Sequence, residues 1–148
     1  IKAVDALPKV KLIIKAHPLA DLSLLDSIVN SVGSKKTRVL VDVNLQKLIK
    51  ASDLLVSVHS TVVIEGMALD KPVLLINVVK CPIPYAETGG AYSVSKTSDI
   101  KEGILKCLED TTLRESLKKG RRKFLESYLY KLDGKSSERV VHELEKLF

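Results

Sequence analysis

Apolar residues recur along the chain in two rhythms, and the rhythms alternate. Short runs rich in β-branched residues, Leu12-Ile13-Ile14, Arg38 to Val41, Leu54 to Val58 and Val73 to Ile76, are separated by stretches with helical spacing. In the first such stretch Leu25, Ile28, Val29 and Val32 share one face. Asp21 stands where an N-cap belongs and Gly33 where a left-handed residue closes a helix, so the pattern predicts a helix over 22–32. Asp42 reads as the cap of a short helix that buries Leu45, Leu48 and Ile49. Thr61 to Leu69 is apolar nearly all round, which predicts a deep helix, and Asp70-Lys71-Pro72 ends it. The run Leu54 to Val58 is apolar at almost every position, which requires cover on both faces and hence a parallel sheet.

The segment from Asn77 to Tyr92 breaks the rhythm, because Pro82, Pro84, Gly89 and Gly90 punctuate it, and it reads as a long loop beyond a strand's carboxyl end. Val94 begins a short last strand. Helical spacing then returns, with Ile100, Ile104, Cys107 and Leu108 on one face, a second helix from Leu113 to Tyr130, a break at Gly134, and a terminal helix marked by Val140, Val141, Leu144 and Leu147. The expected fold is α/β: a Rossmann-like, doubly wound parallel sheet with extra C-terminal helices. The carboxyl ends of its first, third and fourth strands should meet at one crevice.

Composition narrows the class without choosing a function. The 148 residues are 45% hydrophobic and 28% charged, with 7 Gly and 5 Pro, which fits one globular domain and excludes disordered or collagen-like chains. No apolar run approaches the ~20 residues of a membrane span, and no charged-then-apolar leader opens the chain. Cys81 and Cys107 form neither a disulfide framework nor a zinc spacing, so the expected compartment is the cytoplasm and Cys107 is expected in the core. A first residue of Ile rather than Met reads as a piece of a longer protein.

The net charge of +6 divides evenly, since residues 1–74 carry 10 Lys/Arg against 7 Asp/Glu and residues 75–148 carry 14 against 11. Only the run from Arg114 to Lys123 is locally dense. Aromatic residues are 4% of the chain, too few for a stacking platform, so nucleic acid is not an expected partner. Arg114, Lys118, Lys119 and Arg122 read as a solvated helix face, or as a peripheral contact with anionic lipid.

The candidate chemistry lies where strands give way to helices. His17-Pro18 follows the first strand and His59-Ser60-Thr61 the third. Ser60 is placed to cap the next helix, whose first-turn amides and dipole suit a phosphate. Glu65 follows one turn later, a spacing that suits backbone amides on a diphosphate and a carboxylate on ribose hydroxyls, or simply a capped helix with a rim carboxylate. The three histidines lack metal-ligand spacing, no acidic DxD cluster demands a metal, and Ser60 lacks the GxSxG surroundings of a hydrolase nucleophile. The absence of GxxxxGK[ST] and GxGxxG disfavours P-loop hydrolysis and common dinucleotide binding.

Taken together, Lys15-Ala16-His17-Pro18, Ala51 through Thr61, Glu65-Gly66-Met67-Ala68, Lys71-Pro72-Val73 and Asp133 through Arg139 resemble the C-terminal, donor-binding half of GT-B fold glycosyltransferases. The nearest flavour is the surface-polysaccharide transferases and CDP-glycerol glycerophosphotransferases, with UDP-N-acetylglucosamine 2-epimerase as a structural cousin. The resemblance implies a single nucleotide-sugar-binding domain over 1–148 and a missing N-terminal domain that carries the acceptor and the catalytic base. The catalytic residues are therefore unknown from this half, with His17 the one candidate. The resemblance implies donor phosphate at His17, Ser60 and Thr61, ribose at Glu65, and a donor loop of His59, Pro84, Tyr85, Gly89 and Gly90. The donor would be UDP-, CDP- or GDP-linked, either a nucleotide sugar or CDP-glycerol, with no further cofactor and no metal. Ser57 stands where many retaining transferases carry a second Glu, so that subgroup is disfavoured. Two alternatives stay open: half of a nucleotide-sugar epimerase, or a non-catalytic nucleotide- or phosphate-binding module.

Overall fold

Five parallel strands frame the computed structural model, which describes residues 1–79 and 84–148. They are β1 (Leu12–Lys15), β2 (Thr37–Leu40), β3 (Leu55–Ser57), β4 (Val73–Ile76) and β5 (Tyr92–Val94). All pairs are parallel, as the β-branched runs predict, but the strands form two sheets: β1 pairs with β2, and β3-β4-β5 follow in that order. Among the described residues, eight α-helices connect or cover them: α1 (Lys2–Asp5), α2 (Leu22–Val32), α3 (Leu45–Ala51), α4 (Val62–Ala68), α5 (Pro84–Glu87), α6 (Ile100–Glu109), α7 (Thr111–Leu129) and α8 (Ser136–Glu145). None of the described helices is long and apolar enough to cross a membrane.

Local chemistry sets most of these boundaries. Asp21 accepts a hydrogen bond from the Leu24 amide at 3.1 Å to open α2, and Gly33 closes it at φ +68°. The cap of α3 is Asn44, whose Oδ1 accepts from the Lys47 amide at 2.9 Å, and not Asp42. That helix begins later than the sequence suggests because Asn44, at ψ 110°, still holds extended backbone. The segment read as a continuous loop contains α5, and Tyr92 already belongs to β5. Cys81 lies outside the described residues.

The core has two halves because β4 alternates. Leu74 packs with Val4 and Leu7 around α1, with Val94, and with Ile104 and Cys107 of α6. Val73 and Leu75 face the other way, onto Val63 and Met67 of α4, Tyr85 of α5, Ala91 and Phe124 of α7. Each such side chain contributes roughly 1.5–3 kcal/mol by leaving water. Cys107 is fully buried as expected, and burial pushes its thiol up to about 11, so it is a packing residue.

Two contacts lock α7 to the amino ends of β4 and β5. At Gly120 the helix touches the Gly89 carbonyl so closely that any Cβ would collide with it. The next residue, Arg121, is 3% exposed and donates from Nη2 to Asp70 Oδ1 at 2.6 Å, while Lys118 stands 3.6 Å from Oδ2. Asp70 holds the left-handed turn after α4 at φ 54°. Partial burial alone would raise its carboxyl, but Arg121 and Lys118 outweigh that and hold it below the usual carboxylate range. A group whose pKa is depressed by folding stabilises above its unfolded value and loses that effect as pH falls through the folded one. Asp70→Asn keeps the turn but should lose about 1.5 kcal/mol at pH 7, the low end for a charged hydrogen bond because Asp70 is well exposed. Urea midpoints should show the parent losing stability more steeply than the variant below about pH 4.

At the C-terminus, both carboxylate oxygens of Asp133 accept from Arg139 Nη1, at 2.8 and 2.9 Å, and anchor α8. Val140, Val141 and Leu144 on that helix are exposed in this chain.

Candidate functional site

The carboxyl ends of β1 and β3 open on a cavity of about 800 Å³. Its mouth holds Lys15, His17, His59 and Ser60, and its floor is apolar, with Ile14, Leu48, Ile49, Leu55 and Val62. The structure thus brings together the two strand-end motifs that lie more than forty residues apart in sequence.

His17 is exposed and pre-oriented. Its Nδ1 accepts from the Leu19 amide at 3.1 Å, and its carbonyl accepts from the Ala20 amide at 2.9 Å. With Nδ1 engaged as an acceptor, the neutral ring carries its proton on Nε2, as a donor pointing away from the turn. Pro18 forces this turn by ending the strand.

Ser60 caps α4 from one residue earlier than the formal N-cap, Thr61. Its Oγ accepts from the Val62 amide at 3.2 Å, and its carbonyl accepts from Val63 at 3.2 Å. The Ile64 amide goes to the Thr61 carbonyl at 2.9 Å. The first-turn amides expected to be free are therefore occupied within the turn, and the Ser60 hydroxyl proton is the donor left to face the cavity. Thr61 is exposed and its side chain makes no cap. Glu65 is exposed one turn after Val62 and forms no ion pair among the described residues, so α4 presents it to solvent rather than to a basic partner.

The residues after β4 go elsewhere. Tyr85 is buried against Phe124, ring centroids 5.8 Å apart and nearly perpendicular. Gly89 turns at φ +72° and Gly90 packs on Met67 and the α7 backbone. Pro84 is exposed and is not part of the cavity wall. The expected third wall of the crevice is thus not formed by these residues. The reason is that β5 must start beside β4, which draws Gly89 and Gly90 to the amino edge of the sheet.

Lys15, which the sequence motif Lys15-Ala16-His17-Pro18 contains but to which it gives no role, also lines the cavity. It ends β1 at the cavity mouth, and its Nζ donates to the Ala16 carbonyl at 2.7 Å. The signal available was a lone cation closing an apolar strand run. In the basic run, Arg114, Lys119 and Arg122 are exposed, Arg114 donates to the Leu108 carbonyl at 3.3 Å, and Lys118 is drawn towards Asp70.

A sequence model of the family described as CDP-Glycerol:Poly(glycerophosphate) glycerophosphotransferase matches residues 3–146. The chain belongs to this family. Among solved structures, the chain superposes on Anabaena HepE in complex with UDP-glucose with a TM-score of 0.66 at 16% identity, covering 85% of this chain and 39% of that one. UDP-N-acetylglucosamine 2-epimerase superposes with a TM-score of 0.61 at 14% identity, covering 89% of this chain and 40% of that one. Both likenesses establish the Rossmann-like GT-B fold. The chain spans about two fifths of the length of either structure. No curated protein is similar enough to match.

Proposed function

We propose that this domain binds the nucleotide-activated donor of a transferase, with CDP-glycerol as the first donor to test and a nucleoside-diphosphate sugar as the second. The observation that supports the reading most is the pairing of His17 Nε2 and the Ser60 hydroxyl at one cavity mouth, in a chain of the glycerophosphotransferase family. In such a transfer the acceptor hydroxyl oxygen bonds to the glycerol-side phosphorus and the pyrophosphate P–O bond breaks. The nucleoside monophosphate leaves with the bonding electrons, and the hydroxyl proton passes to a base from outside these residues. Negative charge grows on the leaving phosphate, and outward donors from His17 and Ser60 with the Lys15 ammonium nearby are suited to meet it. Surface polysaccharide or glycoconjugate synthesis in the cytoplasm is the setting this reading carries.

Titration calorimetry on the full-length polypeptide tests it with CDP-glycerol, UDP-glucose and inorganic pyrophosphate. Glu65→Gln should weaken nucleotide binding by about 10- to 100-fold if Glu65 holds the ribose, since hydrogen bonds to charged groups are worth roughly 1.5–3 kcal/mol. Ser60→Ala should weaken binding and also lower stability by about 1 kcal/mol through loss of the cap. Pyrophosphate should feel the Ser60 change and ignore the Glu65 change. Unaltered nucleotide affinity in a folded Glu65→Gln protein removes the ribose assignment.

A further inference from the structure

The stretch Asp133 through Arg139 takes no part in the cavity and closes on itself instead. Arg139 stands at its centre. Its Nη1 donates to both carboxylate oxygens of Asp133, at 2.8 and 2.9 Å, and its Nη2 donates to the Ser136 hydroxyl at 3.2 Å. Asp133 Oδ1 also accepts from the Lys135 amide at 3.0 Å, and Gly134 between them turns at φ +73°. The same guanidinium lies over the Tyr130 ring, 5.5 Å from its centroid, and Lys131 Nζ stands 5.1 Å from that centroid.

These contacts hold a backbone that resists them. Tyr130, the residue after α7, has φ 58° and ψ −68°, and the Lys131 amide donates across it to the Leu129 carbonyl at 2.6 Å. A three-residue turn with its central residue at positive φ is the rare, strained form. The other non-glycine residue at positive φ among the described residues is Asp70, of a type that tolerates the left-handed region. Two bonds close its turn, from its own amide to the Met67 carbonyl and from the Lys71 amide to that of Gly66. An aromatic residue has no such tolerance, and strained backbone persists only where its surroundings impose it.

At Tyr130 the imposing contacts are local. Every residue of α8 except Arg139 is exposed, so burial in the core does not fix the direction of α8 relative to α7. A part-exposed ion pair and a ring contact fix it, against a backbone that favours another direction.

We propose that Tyr130 is a loaded hinge and the Asp133–Arg139 pair its latch, so that α8 exchanges between the observed direction and a released one in which Tyr130 returns to ordinary backbone. Salt screens the attraction between part-exposed charges and leaves backbone strain untouched. The latch therefore yields to ionic strength, and to any group that competes for the Arg139 guanidinium or the Asp133 carboxylate, while the hinge supplies the drive to open. What the device controls is where the exposed apolar stripe of Val140, Val141 and Leu144 points.

Distances between spin labels carried by non-native, cysteine-independent side chains at Glu126 on α7 and Glu145 on α8, measured in the full chain, test this. The parent should show two distances, and the released-to-latched ratio should rise about two- to fivefold between about 50 mM and about 1 M NaCl. Asp133→Asn and Arg139→Gln should each raise the ratio about fivefold at the lower salt and remove most of its salt dependence. Two further variants isolate the strain. Tyr130→Ala and Tyr130→Gly both lose the ring contact, but only glycine accepts positive φ freely, so the glycine variant should be the more latched of the pair by about tenfold. A single distance in the parent at both salt concentrations overturns the latch. Equal ratios in the alanine and glycine variants overturn the loaded hinge. Both outcomes are read in a folded protein, because α8 contributes no residue to either half of the core.

Discussion

If His17 faces the leaving phosphate as proposed, His17→Ala in the full-length polypeptide should slow glycerophosphate transfer by about 100- to 1000-fold, the loss that follows removal of one preorganised donor from a developing anion. The magnitude rests on the Leu19 amide, which already occupies Nδ1 and leaves Nε2–H as the outward donor. The ring is exposed at the end of β1, so truncation removes no core contact, and the thermal midpoint should stay within a few degrees of the parent. His17→Gln carries an amide N–H at a similar reach and should recover part of the rate. A residue that merely shaped the turn would show the reverse, with stability lost and no rescue by Gln. Steady-state kinetics with CDP-glycerol separates the two, because a donor acting mainly in the transition state lowers kcat more than it raises KM.

Gly120→Ala should destabilise the domain by about 3 kcal/mol, the upper part of the usual range for overpacking, and lower Tm by roughly 6–12 °C. Helix propensity alone gives the opposite sign, since alanine is favoured over glycine inside a helix by about 1 kcal/mol. The reversal comes from the Gly89 carbonyl, which occupies the place a Cβ would take. That obstacle is backbone on one side and helix on the other, so neither yields by rotating a side chain. Gly134→Ala is the matched control: Gly134 has φ +73° and nothing near its Cβ position, so only the left-handed conformation is disfavoured and the loss should be about 1 kcal/mol. Calorimetric midpoints of the two variants measure the contrast directly.

Those two positions mark what sequence alone can and cannot reveal. Periodicity was enough for α2, because its caps Asp21 and Gly33 each act through a neighbour three residues away. It was enough for β4 as well, because an unbroken apolar run has few other uses in a parallel sheet. The motif pair His17 and Ser60 was legible because short strands that alternate with helices put their carboxyl ends on one edge. Gly120 was not legible, since its partner is thirty-one residues earlier and only the folded backbone brings them together. Tyr85 was misplaced for a related reason: proline and glycine signal a turn, but not that the residue between them reaches Phe124. Arg121 hid among six basic residues, although its place in the stripe Leu117, Arg121, Phe124 distinguished it from cations that face water. The division into two sheets has no counterpart in periodicity, because pairing between strands is not written in either strand singly.

The Gly89–Gly120 contact and the Asp70–Arg121 pair sit at the amino edge of the strands, whereas His17 and Ser60 sit at the opposite edge. Selection can therefore act on the two edges almost independently. On the proposed donor site, a lineage that exchanged residues around His17, His59 or Ser60 would alter which donor is held while drawing little on the stability reserve kept at the far edge. A lineage that eroded Asp70 or Gly120 would lose every donor alike. Divergence of donor preference within one scaffold follows from this separation, and it should appear as variable strand-to-helix turns above a frame whose opposite rim changes slowly.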